Sequence, residues 1–388
     1  MIIEGTWDEA RTISEITFKK LNSEKIPIHL AVDRVLSENL LSLTQVPAFR
    51  TSAMDGWIIS GEGPWKIVGE IVTGTEHKNI LKSGETLRIA TGGVVPEGGQ
   101  AVIPWEKAKA ENGFIFGNIK IGDHIREAGA ECGIGEVLLN AGEKINPFHL
   151  GLFAASGIDE IEVVLKPKIV IFIIGDELLE QGIPKEGQIR DSLGIQLPSF
   201  LFKHGSEVIH TYFVKDDLNY LFDTVKNEVN NCDLIITTGG TADGPRDFIK
   251  PMIEKFNGKN LIDRVRVRPG YHILINILTN QKGNNIPIIS LPGNPQSAIA
   301  ALTSFGLPII YSLAGKNNEK AIFTKMGVDM ETPEGFSRQV PGNVIDGEFM
   351  PAKYLGSAML RGLANSAGFA ILQPGLNKKG TMVRWLTC

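Results

Sequence analysis

The sequence predicts a multi-domain α/β protein, and three observations carry that prediction. Between residues 166 and 315, near-continuous apolar runs alternate with helix-length segments, as strands buried on both faces of a largely parallel sheet require. Short β-prone runs separated by Gly-rich turns fill 48–140, and similar runs return after 316. The chain has 388 residues, 43% hydrophobic and 21% charged, which is the size of two to four domains and the composition of a globular protein.

Taken in order, Thr6 is an expected helix N-cap with Glu9 at the capping-box position, ahead of Trp7, Ala10, Ile13 and Leu21 near helical spacing. A second helix is expected over about 30–40. Strands are expected at 65–72, 87–90, 101–105, 114–121 and 137–139. Asn146 and Pro147 then suit the cap and first position of a helix running to about 156. The alternation that follows places strands at 169–174, 208–214, 234–238 and 286–291, and helices at 195–204, 218–229, 248–256 and 295–313. The tail carries β-like runs around Phe323, Val340 and Phe349, at 370–372 and at 382–386. The implied domains are 1–47 with 141–165 as an N-terminal helical and linker part, 48–140 as an inserted β domain, 166–315 as the central α/β domain, and 316–388 as a small β domain.

Several function classes are disfavoured. With 39 basic and 44 acidic residues the net charge is −5, against the basic surface that general nucleic-acid binding needs. Cys132, Cys232 and Cys388 are too far apart for a Cys-x-x-Cys metal site or a disulfide framework, and they fit a reducing, cytoplasmic setting. No His-x-x-x-His pair suggests a zinc-hydrolase helix. The first residues lack the pattern of a signal peptide, and no stretch reads as the roughly 18 apolar residues of a membrane span, so no membrane partner is expected.

The chemistry gathers where a parallel sheet binds ligands, beyond the carboxyl ends of its strands. Four segments fall there: Gly175-Asp176-Glu177-Leu178, Lys215-Asp216-Asp217, Gly239-Gly240 through Asp247, and Pro292-Gly293-Asn294-Pro295. Gly239 and Gly240 let backbone approach a ligand. Asn294 and Pro295 open a helix whose N-terminal amides are expected to favour an anion. Glu177, Asp216 and Asp247 are candidate ligands for a hard cation such as Mg²⁺. Arg264, Arg266 and Arg268 alternate, so on a strand they share one face suited to phosphate or another oxyanion.

Five motifs, in order, are similar to those of the molybdopterin molybdenumtransferases, the family of bacterial MoeA, its plant homologues and the gephyrin E domain. They are Ser52-Ala53-Met54-Asp55-Gly56; Arg88-Ile89-Ala90-Thr91-Gly92; Val95-Pro96; Gly175-Asp176-Glu177-Leu178; and Leu291-Pro292-Gly293-Asn294-Pro295. The resemblance spans nearly the whole chain. It implies a central domain like MoaB and MogA and a barrel-like C-terminal domain. It also implies Mg²⁺-assisted insertion of molybdate into adenylylated molybdopterin with release of AMP, in a homodimer whose site draws on both protomers. By motif position it implies catalytic roles for Asp55, Thr91, Glu177 and Asp216. It implies substrate contacts at Gly175, Asp191, Ser192, Gly239, Gly240, Arg264, Arg268, Pro269, Pro292, Gly293, Asn294, Pro295 and Arg338.

Some positions depart from the family pattern. Thr241-Ala242-Asp243-Gly244 follows the glycine pair, Leu193 stands where an Asn is usual, Arg268-Pro269-Gly270-Tyr271 stands where Lys-Pro-Gly-Lys is usual, Arg264 also replaces a Lys, and Arg361-Gly362 replaces a Ser pair. A catalytically weak binding or scaffold paralogue, and a homologue using tungstate, are the alternatives these changes leave open. A hydrolase of the CinA type shares the Gly175–Leu178 start but leaves the two β regions without a role.

Overall fold

The computed structural model describes residues 1–75, 79–242, 244, 247–317 and 321–388. The chain divides into two compact units, one of 1–24 with 164–388 and one of 25–163.

In the first unit seven strands form one sheet. They are β1 (Ile2–Gly5), β2 (Lys168–Ile174), β3 (Glu207–Val214), β4 (Leu234–Thr238), β5 (Lys259–Val265), β6 (Leu274–Thr279) and β7 (Asn285–Leu291), in the order β1-β5-β6-β7-β4-β2-β3. β2 runs parallel to β3 and β4, and β4 to β7, whereas β6 is antiparallel to both neighbours. β2 shows why the run is apolar throughout. Ile169, Ile171 and Ile173 pack with the helices Leu193–Lys203 and Pro295–Ala301, while Val170, Phe172 and Ile174 pack with Leu218–Glu228 and Ile249–Lys255. Each such side chain, fully buried, contributes about 1.5–3 kcal/mol.

The expected first helix spans Trp7–Ile16 and begins with the Thr6–Glu9 capping box. It ends before Leu21, whose amide instead donates to the Leu313 carbonyl. Trp7 Nε1 donates to buried Ser304 Oγ at 3.0 Å. Ser304 lies in a π turn, Leu302–Gly306, that links Pro295–Ala301 to Leu307–Leu313. The combined 19-residue helix is apolar and long enough to cross a membrane, which corrects the reading that no stretch approaches that length. With 89% of its span buried inside the protein, it has the character of a core helix.

Residues after 321 close a five-stranded barrel from Ile322–Met326, Ser337–Ile345, Glu348–Pro351, Gly368–Leu372 and Met382–Thr387. Closure leaves none of these strands with an open edge. Met326, Val340, Phe349, Leu372 and Trp385 fill it. Outside the barrel, Val267–Arg268 pairs in parallel with Ser337 and Arg338.

The 25–163 unit contains a six-stranded sheet ordered Ala101–Pro104, Gly56–Ile59, Glu85–Ile89, Trp65–Ile71, Phe114–Phe116 and Lys109–Glu111. The helix Pro147–Ala155 is capped by Asn146, whose Oδ1 accepts from the Phe148 and His149 amides. The helix expected over 30–40 is absent. Asp33 takes a left-handed φ of +67°, Val35 and Leu36 form β-bridges with Lys144 and Val163, and Leu36 packs with Val163 in a small core. The strand expected at 114–121 stops at Phe116.

Candidate active site

Beyond the carboxyl ends of β2, β4 and β7 lies a cleft of about 610 Å³. Gly175, Glu177, Asp191, Ser192, Asp216, Gly239, Gly240, Asp247, Gly293, Asn294 and Pro295 all line it. The parallel strands end together, so loops distant in sequence converge there.

The turn after β4 needs its glycines. Gly239 and Gly240 have φ of +83° and +63°, and a Cβ on Gly239 would lie 2.8 Å from the Ile174 carbonyl oxygen. Asp247 accepts from the Gly244 amide at 2.5 Å, which holds the far arm of the same loop; Asp243, Pro245 and Arg246 lie outside the described residues. Asp216 sits beside Asp176, and each backbone amide faces the other's carboxylate at 3.4 and 3.5 Å. Asp191 is only 6% exposed, and its carboxylate accepts from the Leu193 and Gly194 amides at 3.0–3.1 Å. It therefore starts the helix Leu193–Lys203, while Ser192, at the cap position, makes no side-chain cap bond.

A second pocket, of about 340 Å³, adjoins the first. Arg268, Pro269, Pro292 and Arg338 line it, together with Tyr271, His272, Ser297 and Ser357, and Asn294 belongs to both pockets. Arg268 stacks on Phe336 at 4.5 Å, and Arg338 donates to the Glu331 carbonyl at 3.2 Å. The Tyr271 hydroxyl donates to Glu4, and that bond raises the phenol above its ordinary range.

Two expectations about this region change. The arginines do not share one strand face, because β5 ends at Val265, Arg266 lies outside it, and Arg268 belongs to the separate strand Val267–Arg268; Arg264 itself takes φ +63°. Arg264 pairs with Asp263 at 3.2 Å and Glu4 at 3.9 Å and lines neither pocket. The amides opening the Pro295 helix are not open to an anion either. Those of Gln296 and Ser297 donate to the Ser357 carbonyl at 3.0 and 3.3 Å. Asn294 makes no side-chain cap bond; its carbonyl accepts from Ala298.

Ser357 belongs to a strap, 354–362, that walls both pockets through Leu355, Ser357, Ala358 and Leu360. At Gly362 an added Cβ would stand 1.8 Å from the Tyr354 carbonyl oxygen, and Arg361 stacks over Tyr354 at 5.0 Å. The Arg361-Gly362 departure is thus built into the strap's own packing. Sequence reasoning missed the strap and His272, whose only local signal is its position after Arg268–Tyr271.

Asp55 and Thr91 come together in the 25–163 unit. Asp55 Oδ1 accepts from the Thr91 amide at 2.6 Å and its hydroxyl at 2.9 Å. These bonds, with Arg88 nearby, hold the Asp55 carboxyl below its usual range.

Among the described residues no three His, Cys, Asp or Glu side chains converge as a closed metal cage. The Glu177, Asp216 and Asp247 carboxylates on one cleft still suit a hard cation that keeps waters and takes the rest of its shell from phosphate oxygens.

Comparison with known proteins agrees with this arrangement. Residues 6–157 match the family described as the MoeA N-terminal region (domain I and II), and 170–312 match a probable molybdopterin binding domain. A molybdopterin molybdenumtransferase from Nostoc is 31% identical over 308 residues, covering 76% of this chain and 70% of that protein. One from Bacillus subtilis is 29% identical, covering 92% and 87%. The crystal structure of a molybdopterin biosynthesis MoeA protein from Pyrococcus horikoshii superposes with a TM-score of 0.84 over 99% of this chain and 100% of that one; at 23% identity it establishes the fold. The chain belongs to the molybdopterin molybdenumtransferase family.

Proposed function

We propose that this protein is an enzyme of molybdenum cofactor biosynthesis that inserts molybdate into adenylylated molybdopterin and releases AMP. One observation carries the reading: a carboxylate-lined cleft and an arginine-lined pocket adjoin at Asn294. Such a pair suits a substrate with a phosphoanhydride to cleave and an oxyanion to deliver. Backbone at Gly239 and Gly240 can approach the phosphates. Arg268 and Arg338 would hold the oxyanion and a terminal phosphate through charge-assisted hydrogen bonds. A Mg²⁺ ion held by Glu177, Asp216 and Asp247 would neutralise phosphate charge. The resemblance further supports a homodimer in which Asp55 and Thr91 serve the partner's cleft. Cys132, Cys232 and Cys388 are all free thiols, which supports a cytoplasmic setting.

The test is AMP release from adenylylated molybdopterin with and without molybdate. Molybdate-dependent release is expected; its absence from well-folded protein would refute the reading. Ser357's hold on the helix amides and the close packing at Gly362 favour one second reading, a binding paralogue. That reading predicts binding of the pterin nucleotide without release of AMP. Running tungstate beside molybdate separates the two oxyanions.

A further inference from the structure

We propose that His272 is a third donor of the arginine pocket, giving a hydrogen bond from Nε2 to the oxyanion held there. This rests on the oxyanion reading above and names a residue that reading does not use. Among the described residues lining the pocket none is Asp or Glu, so its permanently charged side chains, Arg268 and Arg338, are both cationic. The two stand in register on paired strands, so both guanidiniums come from one strand pair. A tetrahedral oxyanion also turns oxygens in other directions. His272 enters from a separate turn, the one leading into β6.

Backbone bonds fix that turn on both sides of His272. The Tyr271 carbonyl accepts from the Val265 amide at 3.1 Å and the Ile273 carbonyl from the Arg264 amide at 3.0 Å, while the Ile273 amide donates to the Gly270 carbonyl at 3.2 Å. Tyr271 braces the imidazole, meeting it edge-on at 4.9 Å, and its own hydroxyl is committed to Glu4. The two ring nitrogens differ. Nδ1 is buried and has no hydrogen-bond partner among the described residues, whereas Nε2 stays accessible where the ring lines the pocket. A proton on Nδ1 would leave a buried N–H orphaned, which proteins avoid more strictly than a bare acceptor. The ring proton therefore sits on Nε2, and the accessible nitrogen is a donor. An N–H beside two guanidiniums is the complement of an oxyanion.

Calorimetric titration of the full chain with molybdate and with inorganic phosphate tests the donor. His272→Ala is expected to weaken molybdate binding about tenfold, the scale of one hydrogen bond to a charged group. His272→Gln places an amide N–H close to the Nε2 position and should return affinity to within about threefold of the wild type. His272→Asn, whose amide reaches only the Nδ1 position, should bind like His272→Ala. Ring-nitrogen NMR gives a second readout: molybdate should move the His272 Nε2–H resonance. The same pattern with phosphate alone keeps the donor and assigns it to a phosphate group. The proposal is overturned if His272→Ala binds both ions as the wild type does while Arg268→Ala weakens them. It is also overturned if His272→Asn restores binding as well as His272→Gln, or if the bound ion leaves the Nε2–H resonance in place. If neither ion binds the wild type, or Arg268→Ala changes nothing, the oxyanion reading itself fails and this inference with it.

Discussion

Asp191 can be tested as a structural cap rather than a ligand contact. It is buried, and both its oxygens lie within 3.1 Å of the amides that open the helix Leu193–Lys203. Asp191→Ala strands a buried Leu193 amide and removes the cap. Loss of a cap costs about 0.5–2 kcal/mol and loss of a hydrogen bond to a charged group about 1.5–3 kcal/mol. These describe overlapping bonds, so the expected loss is about 2–3 kcal/mol. With a urea slope of about 3 kcal/mol/M, the midpoint falls by roughly 1 M. Asp191→Asn keeps an acceptor for the Leu193 amide and should recover at least half of the loss. The assay is urea unfolding followed by far-UV circular dichroism, with pterin-nucleotide binding measured on the same variants. If Asp191→Ala unfolds at the wild-type midpoint, or Asp191→Asn is as unstable as Asp191→Ala, the capping argument is wrong.

Three other outcomes are expected. Arg268→Ala and Arg338→Ala should each weaken molybdate binding about tenfold or more by calorimetry, from the loss of charge-assisted bonds, whereas Arg264→Ala should change it less than about threefold. The Asp55 carboxyl is depressed in the folded protein by its Thr91 bonds, so its stabilising effect is present above the unfolded carboxylate range and lost only as pH falls through the lower folded value. Thr91→Val should therefore move the Asp55 titration upward, read by carboxyl-carbon NMR. Burial pushes the Cys232 thiol up to about 12 and the Cys388 thiol up to about 11. Both should resist alkylation at pH 8 in the native protein and react once it is unfolded, as peptide mapping would report.

The central domain was the most legible part of the sequence because its signals are local and strong. The 169–174 run reads as a strand buried on both faces, and β2 proves to be one. The Thr6–Glu9 box and the Asn146–Pro147 pair likewise declare their helices within four residues. What escaped depends on distant partners. Residues 30–40 carry helix-like spacing, but Leu36 finds Val163 more than a hundred residues on, and that pairing overrides local preference. The cleft was readable because glycines and carboxylates follow each strand. The shared face expected for the three arginines failed because alternation assumes one unbroken strand, whereas β5 stops at Val265 and a separate strand starts at Val267. The strap was illegible for a similar reason: its role comes from one carbonyl meeting two amides sixty residues away.

The C-terminal barrel shares more with the α/β sheet than a linker. Leu363, Phe369 and Ile371 belong to the same apolar cluster as Ile299 and Phe305, and Arg268 lies in register with Arg338. Cutting the chain before the barrel would leave an oily patch on the core helix and strip Arg338, Leu355 and Ser357 from the arginine pocket. The barrel is therefore poor material for modular exchange. A chimera that borrows it from a relative must bring a matching helix surface and a residue no larger than glycine at 362, so barrel and sheet are expected to be inherited as a pair.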